Sequence, residues 1–79
     1  MLDNGDFQDA IEILRRATEI DPEGKDAYFS LGIALQKIGE VNAAIENYRK
    51  AIELDPQYAQ AYYNLGVSFY ETKNWKGAI

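Results

Sequence analysis

Apolar residues recur along this chain at three- and four-residue steps, in successive stretches separated by proline or glycine. In the first, Phe7, Ala10, Ile11, Leu14 and Ala17 fall on one helical face. Asp6 and Asp9 stand in or just before its first turn, where carboxylates complement the positive end of the helix dipole. Arg15 and Arg16 lie towards the negative end. Asp21-Pro22 ends it, because proline has no amide proton to continue the ladder and pushes its predecessor out of the helical region. The second stretch, from about Lys25 to Ile38, places Tyr28, Leu31, Leu35 and Ile38 on one face with Gly32 beside them, and Gly39 stops it. The third, about Val41 to Leu54, carries a stripe of Ala44, Ile45, Tyr48, Ala51 and Ile52 and closes at Asp55-Pro56. The fourth, about Tyr58 to Thr72, is patterned through Ala61, Tyr62, Leu65, Gly66 and Phe69. Trp75, Ala78 and Ile79 then have the spacing of the first turns of a fifth. The pattern predicts an all-α chain.

The stretches repeat. A step of about 34 residues carries Pro22 onto Pro56, and Tyr28, Leu31 and Gly32 onto Tyr62, Leu65 and Gly66. The third helix thus repeats the first and the fourth repeats the second. The whole chain, 1–79, reads as one domain: residues 1–22 are the second helix of a partial repeat, 25–56 a complete repeat and 59–79 an incomplete one. Neither end carries the polar capping helix that arrays of this kind use. Glycine inside a helix costs about 1 kcal/mol relative to alanine, so Gly32 is expected to mark a crossing point where a neighbour leaves no room for a β-carbon. Lys73 stands where the last unit should have the counterpart of Gly39. Lysine does not readily take the positive φ that glycine supplies there, which puts that turn in doubt.

Composition narrows what such an array can do. With 47% hydrophobic residues in 79, the chain has room for one small core. The net charge of −5, with acids spread among the bases, argues against nucleic acid, which selects a basic face. There is no cysteine for disulfide or thiol chemistry and no histidine, the commonest general base and metal ligand. No apolar run approaches the roughly 20 residues of a membrane span, and MLDNGDF is not a leader. The expectation is a soluble, cytoplasmic chain with no membrane partner. Glu46, Glu53 and Asp55 gather near Arg49 and Lys50, but Glu46 and Lys50 have the i,i+4 spacing of a solvated helix face. Asp6 and Asp9 have no calcium-type loop around them, and neither a phosphate loop nor a nucleophile–base pair is present. No enzyme, metal site or cofactor is expected.

These residues resemble the tetratricopeptide repeat (TPR) family, whose pattern is W-x2-L-G-x2-Y, then A-x3-F, then P. The complete unit fills it with Tyr28, Leu31, Gly32, Leu35, Ala44, Tyr48, Ala51 and Pro56. The following unit matches at Tyr62, Leu65, Gly66, Phe69 and Ala78, and the preceding one at Ala10, Leu14, Ala17 and Pro22. The resemblance implies antiparallel helix-turn-helix repeats stacked as a short right-handed solenoid. It also implies a scaffold that holds a peptide or helix in a concave groove lined by the first helix of each repeat. Positions that face such a groove correspond here to Asp26, Phe29, Ser30, Ile33, Gln36 and Lys37, and then to Gln60, Tyr63, Asn64, Val67, Tyr70 and Glu71. Phe29, Ile33, Lys37, Tyr63, Asn64, Val67 and Tyr70 are the expected peptide-binding residues, with an apolar and aromatic strip suited to an interaction hot spot. One variety of the family grips C-terminal carboxylates with lysine, arginine and asparagine. Asn64 matches one such position, but Phe29 and Ile33 stand where that variety has lysine and asparagine, so a neutral or basic apolar peptide fits better. The competing expectation is a homo-oligomer. The first helix lacks the partner that should precede it and the fourth lacks the partner that should follow, which suggests head-to-tail assembly. Alternatively, two fourth helices could pair through Tyr62, Phe69 and Trp75.

Overall fold

The computed structural model describes the backbone of residues 4–77 and the side chains of residues 7–72. Helix α1 spans Asn4–Ile20, α2 Lys25–Lys37, α3 Val41–Leu54 and α4 Ala59–Gly77. Each packs against the next, α1 on α2, α2 on α3 and α3 on α4. The stack is a slab 41 × 31 × 18 Å across.

The stops follow the sequence. At both Asp-Pro corners the aspartate side chain accepts from the amide two residues on, Glu23 N to Asp21 Oδ1 at 3.2 Å and Gln57 N to Asp55 Oδ1 at 3.1 Å. The two corners are therefore the same Asx turn. Gly39 has φ of +88°. Around it Glu40 N donates to Leu35 O at 2.8 Å and Gly39 N to Gln36 O at 3.1 Å, the paired bonds of a Schellman ending.

The last unit departs from expectation. Where the repeat register calls for a turn at Lys73 and a new helix through Trp75, α4 continues to Gly77. The cause is local: lysine at this position disfavours the positive φ that Gly39 supplies, so nothing breaks the ladder. Ala78, Ile79 and the Trp75 side chain lie outside the described residues.

The core is centred on Tyr48, which is fully buried. Leu31, Ala34, Leu35, Ala44 and Ile11 pack with it, and Leu14, Phe29, Ile33 and Leu65 close over the cluster. The Tyr48 ring lies on Gly32, where a β-carbon would stand 2.5 Å from Cε1, so the crossing point expected there is real. Its hydroxyl donates to Gln36 Oε1 at 2.7 Å. Ser68 occupies the position Ala34 holds one repeat earlier. It too is fully buried, and its hydroxyl has no partner among the described residues, a cost alanine would not carry. On the surface Lys50 lies 3.7 Å from Glu53 rather than pairing with Glu46.

A polar junction joins the complete repeat to the next. Lys25 Nζ meets Asp55 Oδ2 at 2.5 Å and lies 5.2 Å from the centroid of the Tyr58 ring. The Tyr58 hydroxyl donates to Asp26 Oδ1 at 3.0 Å. The hydrogen bond to Lys25 holds the Asp55 carboxyl below its usual range and raises the Lys25 ammonium. Burial, with the Asp26 hydrogen bond second, pushes Tyr58 up to about 12. A phenol raised in the fold contributes stability that is whole below its unfolded pKa of about 10 and is lost as pH climbs through the raised value. Lys25, also raised, acts in the same direction. Thermal midpoints should therefore fall between about pH 10 and 12, and Tyr58→Phe should fall less steeply while starting lower for want of the Asp26 bond. Parallel slopes for the two proteins in calorimetry across that range would refute this. Burial raises Tyr48 as well, so the slope should shrink without vanishing.

Candidate functional site

Six of the seven expected binding residues, all but Tyr70, line one groove because α2 and α4 lie side by side and each repeats its surface every turn. On α2, Asp26, Phe29, Ile33 and Lys37 follow at three- and four-residue steps, and on α4 so do Gln60, Tyr63 or Asn64, Val67 and Glu71. Two adjoining clefts result. The first, about 570 Å³, is lined by Phe29, Ile33, Ala59, Gln60, Tyr63 and Asn64. The second, about 460 Å³, is lined by Ile33, Gln36, Lys37, Tyr63, Asn64, Val67 and Glu71. Ile33, Tyr63 and Asn64 belong to both, so the clefts are halves of a single groove.

The lining residues are not equivalent. Phe29 is half-buried, with its ring centroid 5.0 Å from that of Tyr58 and 5.9 Å from that of Tyr48, so it serves as the groove's back wall as well as a contact surface. Ile33 also packs on the core cluster. Tyr63 is 74% exposed and forms a free rim. Gln36 spans the floor: its Oε1 accepts from Tyr48, and its Nε2 donates to Glu71 Oε1 at 3.1 Å. Asn64 sits near the Tyr48 hydroxyl, where it offsets part of the upward push that burial gives the phenol. Asp26 stands beyond one end of the groove, while Lys37 and Glu71 line the other. Tyr70 is exposed on α4 and lines neither of the two clefts.

Sequence periodicity missed two contributors. Tyr58 stands in the corner between α3 and α4 and Ala59 is the first residue of α4, and both precede the groove positions that the resemblance names, which start at Gln60. Only the rings' proximity shows that Tyr58 supports Phe29. The groove's chemistry is that of contact, with carbon surface, the three amides of Gln36, Gln60 and Asn64, and a few exposed charges. Among the described residues no group of three or more histidine, cysteine, aspartate or glutamate side chains could hold a metal ion. Among them, too, no helix is long and apolar enough to cross a membrane.

Comparison with known proteins agrees with this architecture. No curated protein matches the chain. Among solved structures it is similar to a crystal structure of MamA protein, at 38% identity and a TM-score of 0.82, over 87% of this chain and 37% of that one. This chain thus spans little more than a third of the MamA chain's length. A family model for the TPR repeat matches residues 2–39 and again residues 37–73. Members of that family and fold are typically non-enzymatic scaffolds that bind proteins or peptides. With four packed helices, the repeat register and two consecutive matched stretches in agreement, the chain belongs to the TPR repeat family.

Proposed function

We propose that the groove between α2 and α4 binds a protein segment, as an extended peptide or a helix, through an apolar side chain seated among Phe29, Ile33 and Tyr63. The complete repeat at residues 25–56 supplies one wall and the unit from residue 59 the other. The observation that carries this reading is the first cleft, whose walls are mainly carbon and whose volume falls in the range of side-chain and small-ligand pockets. An exposed tyrosine at the rim of a half-buried aromatic floor is the composition of an interaction hot spot. Carboxylates at Asp26 and Glu71 and the net charge of −5 favour a neutral or basic segment, more through encounter than through final affinity.

The test is a peptide-display selection on the chain, followed by titration of the best binder. Phe29 is a poor probe because it supports Tyr48 and Tyr58. Tyr63→Ala with Val67→Ala removes groove surface without opening the core. Affinity should drop at least tenfold, about 1.4 kcal/mol or more, with the melting temperature nearly unchanged. Undiminished binding by the double variant would show that the segment sits elsewhere.

A second reading is association between copies through their end helices. Ile13 and Ile20 on α1, and Tyr62 and Phe69 on α4, favour it, because all four are large apolar side chains left exposed.

A further inference from the structure

A further cleft lies apart from the groove, between α1 and the start of α3, over the turn that joins α2 to α3. Its cavity, about 180 Å³, has a floor of Ile11, Leu35, Ile38 and Ala43, with Arg15 and Glu40 exposed at the rim. It shares no residue with either groove cleft. Nor does it stand open for want of a neighbouring repeat. A helix set before α1 as α2 is set before α3 would meet the counterparts of Ala44 and Tyr48, which are Ala10 and Leu14, and neither lines the cleft. Both walls belong to the chain itself.

One repeat on, the corresponding place holds a ring. Arg49, the counterpart of Arg15, has its guanidinium 5.4 Å from the centroid of the Phe69 ring. Phe69 is the counterpart of Leu35, which is 3% exposed. Where the later junction has an aromatic side chain, the earlier one has a shorter aliphatic one beneath an open cavity. Among the described residues Arg15 lies over no ring and pairs with no carboxylate.

We infer that this cleft binds a protein segment through one aromatic side chain, seated on Ile11, Leu35 and Ile38 with its face to the Arg15 guanidinium, and that a lysine or arginine next to that residue meets Glu40. The size suits a single ring, since a carbon-lined cavity of about 150 Å³ holds benzene. The Arg15 charge keeps a base out of the cavity, and an aliphatic occupant would forgo the attraction between guanidinium and ring face. Beyond the rim the sign reverses. The Glu40 side chain makes no capping hydrogen bond to α3, and an adjoining cleft of about 380 Å³ adds Asp9 and Glu12. The two clefts share Gln8, Ile11 and Arg15, so a base flanking the aromatic residue falls among carboxylates. An acidic segment would meet three like charges there.

The test is an amide NMR titration of the isotope-labelled chain with the blocked peptide acetyl-Gly-Phe-Lys-Gly-amide to about 10 mM, because a one-ring contact belongs in the millimolar range. The amides of Ile11, Glu40 and Ala43 should shift and saturate. Leucine for phenylalanine in the peptide should weaken binding about threefold or more, and glutamate for lysine should abolish it at low salt. In the protein, Arg15→Gln and Glu40→Gln change exposed side chains outside the core, so both variants should keep the wild-type fold. Arg15→Gln should erase the preference for phenylalanine over leucine, and Glu40→Gln should weaken the lysine peptide while sparing one with alanine in its place. No saturable shift over that range would overturn the site. Shifts confined to Phe29, Ile33 and Tyr63 would overturn it too and would credit the groove instead. A phenylalanine preference that survives Arg15→Gln, or a lysine peptide indifferent to Glu40→Gln, would overturn the recognition proposed. Because cleft and groove share no residue, the failure of one reading leaves the other standing.

Discussion

Tyr48→Ala is expected to remove a large share of the chain's stability, about 3–5 kcal/mol if it behaves as other large aromatic truncations in cores do. A domain of this size has on the order of 4–12 kcal/mol in total. The argument rests on what the ring touches. Tyr48 is fully buried, lies on the Gly32 backbone, and has the Phe29 ring 5.9 Å away. Alanine would leave a void bounded on one side by a glycine, which has no side chain to move into it. Phe29 and Tyr58 would lose support in turn, so the groove should deform as the core loosens. Tyr48→Phe separates the hydroxyl from the ring. It keeps the packing, loses the 2.7 Å bond to Gln36 and should cost about 1 kcal/mol, because half-buried Gln36 can turn its oxygen to water. Urea unfolding of the two variants decides the matter. If alanine and phenylalanine cost the same, the hydroxyl rather than the packed ring is what counts.

What could be read beforehand follows the same division between local and long-range causes. The bounds of α2 and α3, the two Asp-Pro corners and the glycine stop at Gly39 are local: each depends on a residue and its neighbours within a turn, and the structure has them within a residue of where the sequence places them. The role of Gly32 was legible because a mid-helix glycine is costly and must be explained by a neighbour, but which neighbour, the Tyr48 ring, only the structure shows. The groove was legible only as positions. That Phe29 is a wall supported by two rings, that Gln36 bridges Tyr48 and Glu71, and that Tyr58 belongs to the site all depend on contacts across 12 to 35 residues. Periodicity carries no information about such pairs. Lys73 lies between the two cases: the missing glycine was visible, but the consequence, a helix that runs on to Gly77, is a backbone preference acting without opposition.

Alanine at the two helical glycines should act with opposite signs. At Gly32 the new β-carbon would stand 2.5 Å from Tyr48 Cε1, 2.8 Å from Cδ1 and 3.0 Å from Cζ, all atoms of a rigid ring with no exposed end to swing away. Overpacking of that kind costs about 1–3 kcal/mol, or more where the ring cannot shift. The gain in helix propensity, about 1 kcal/mol, offsets only part of it. At Gly66 no atom of the described residues lies within 4 Å and the position is exposed, so the gain stands alone and the chain should become about 1 kcal/mol more stable. Thermal and urea unfolding would show the split. A second substitution identifies the cause. Tyr48→Leu costs stability in the wild-type background, but beside Gly32→Ala it removes the clashing ring, so the double variant should be more stable than the sum of the two singles predicts. Additive effects would mean that the glycine is not matched to the tyrosine.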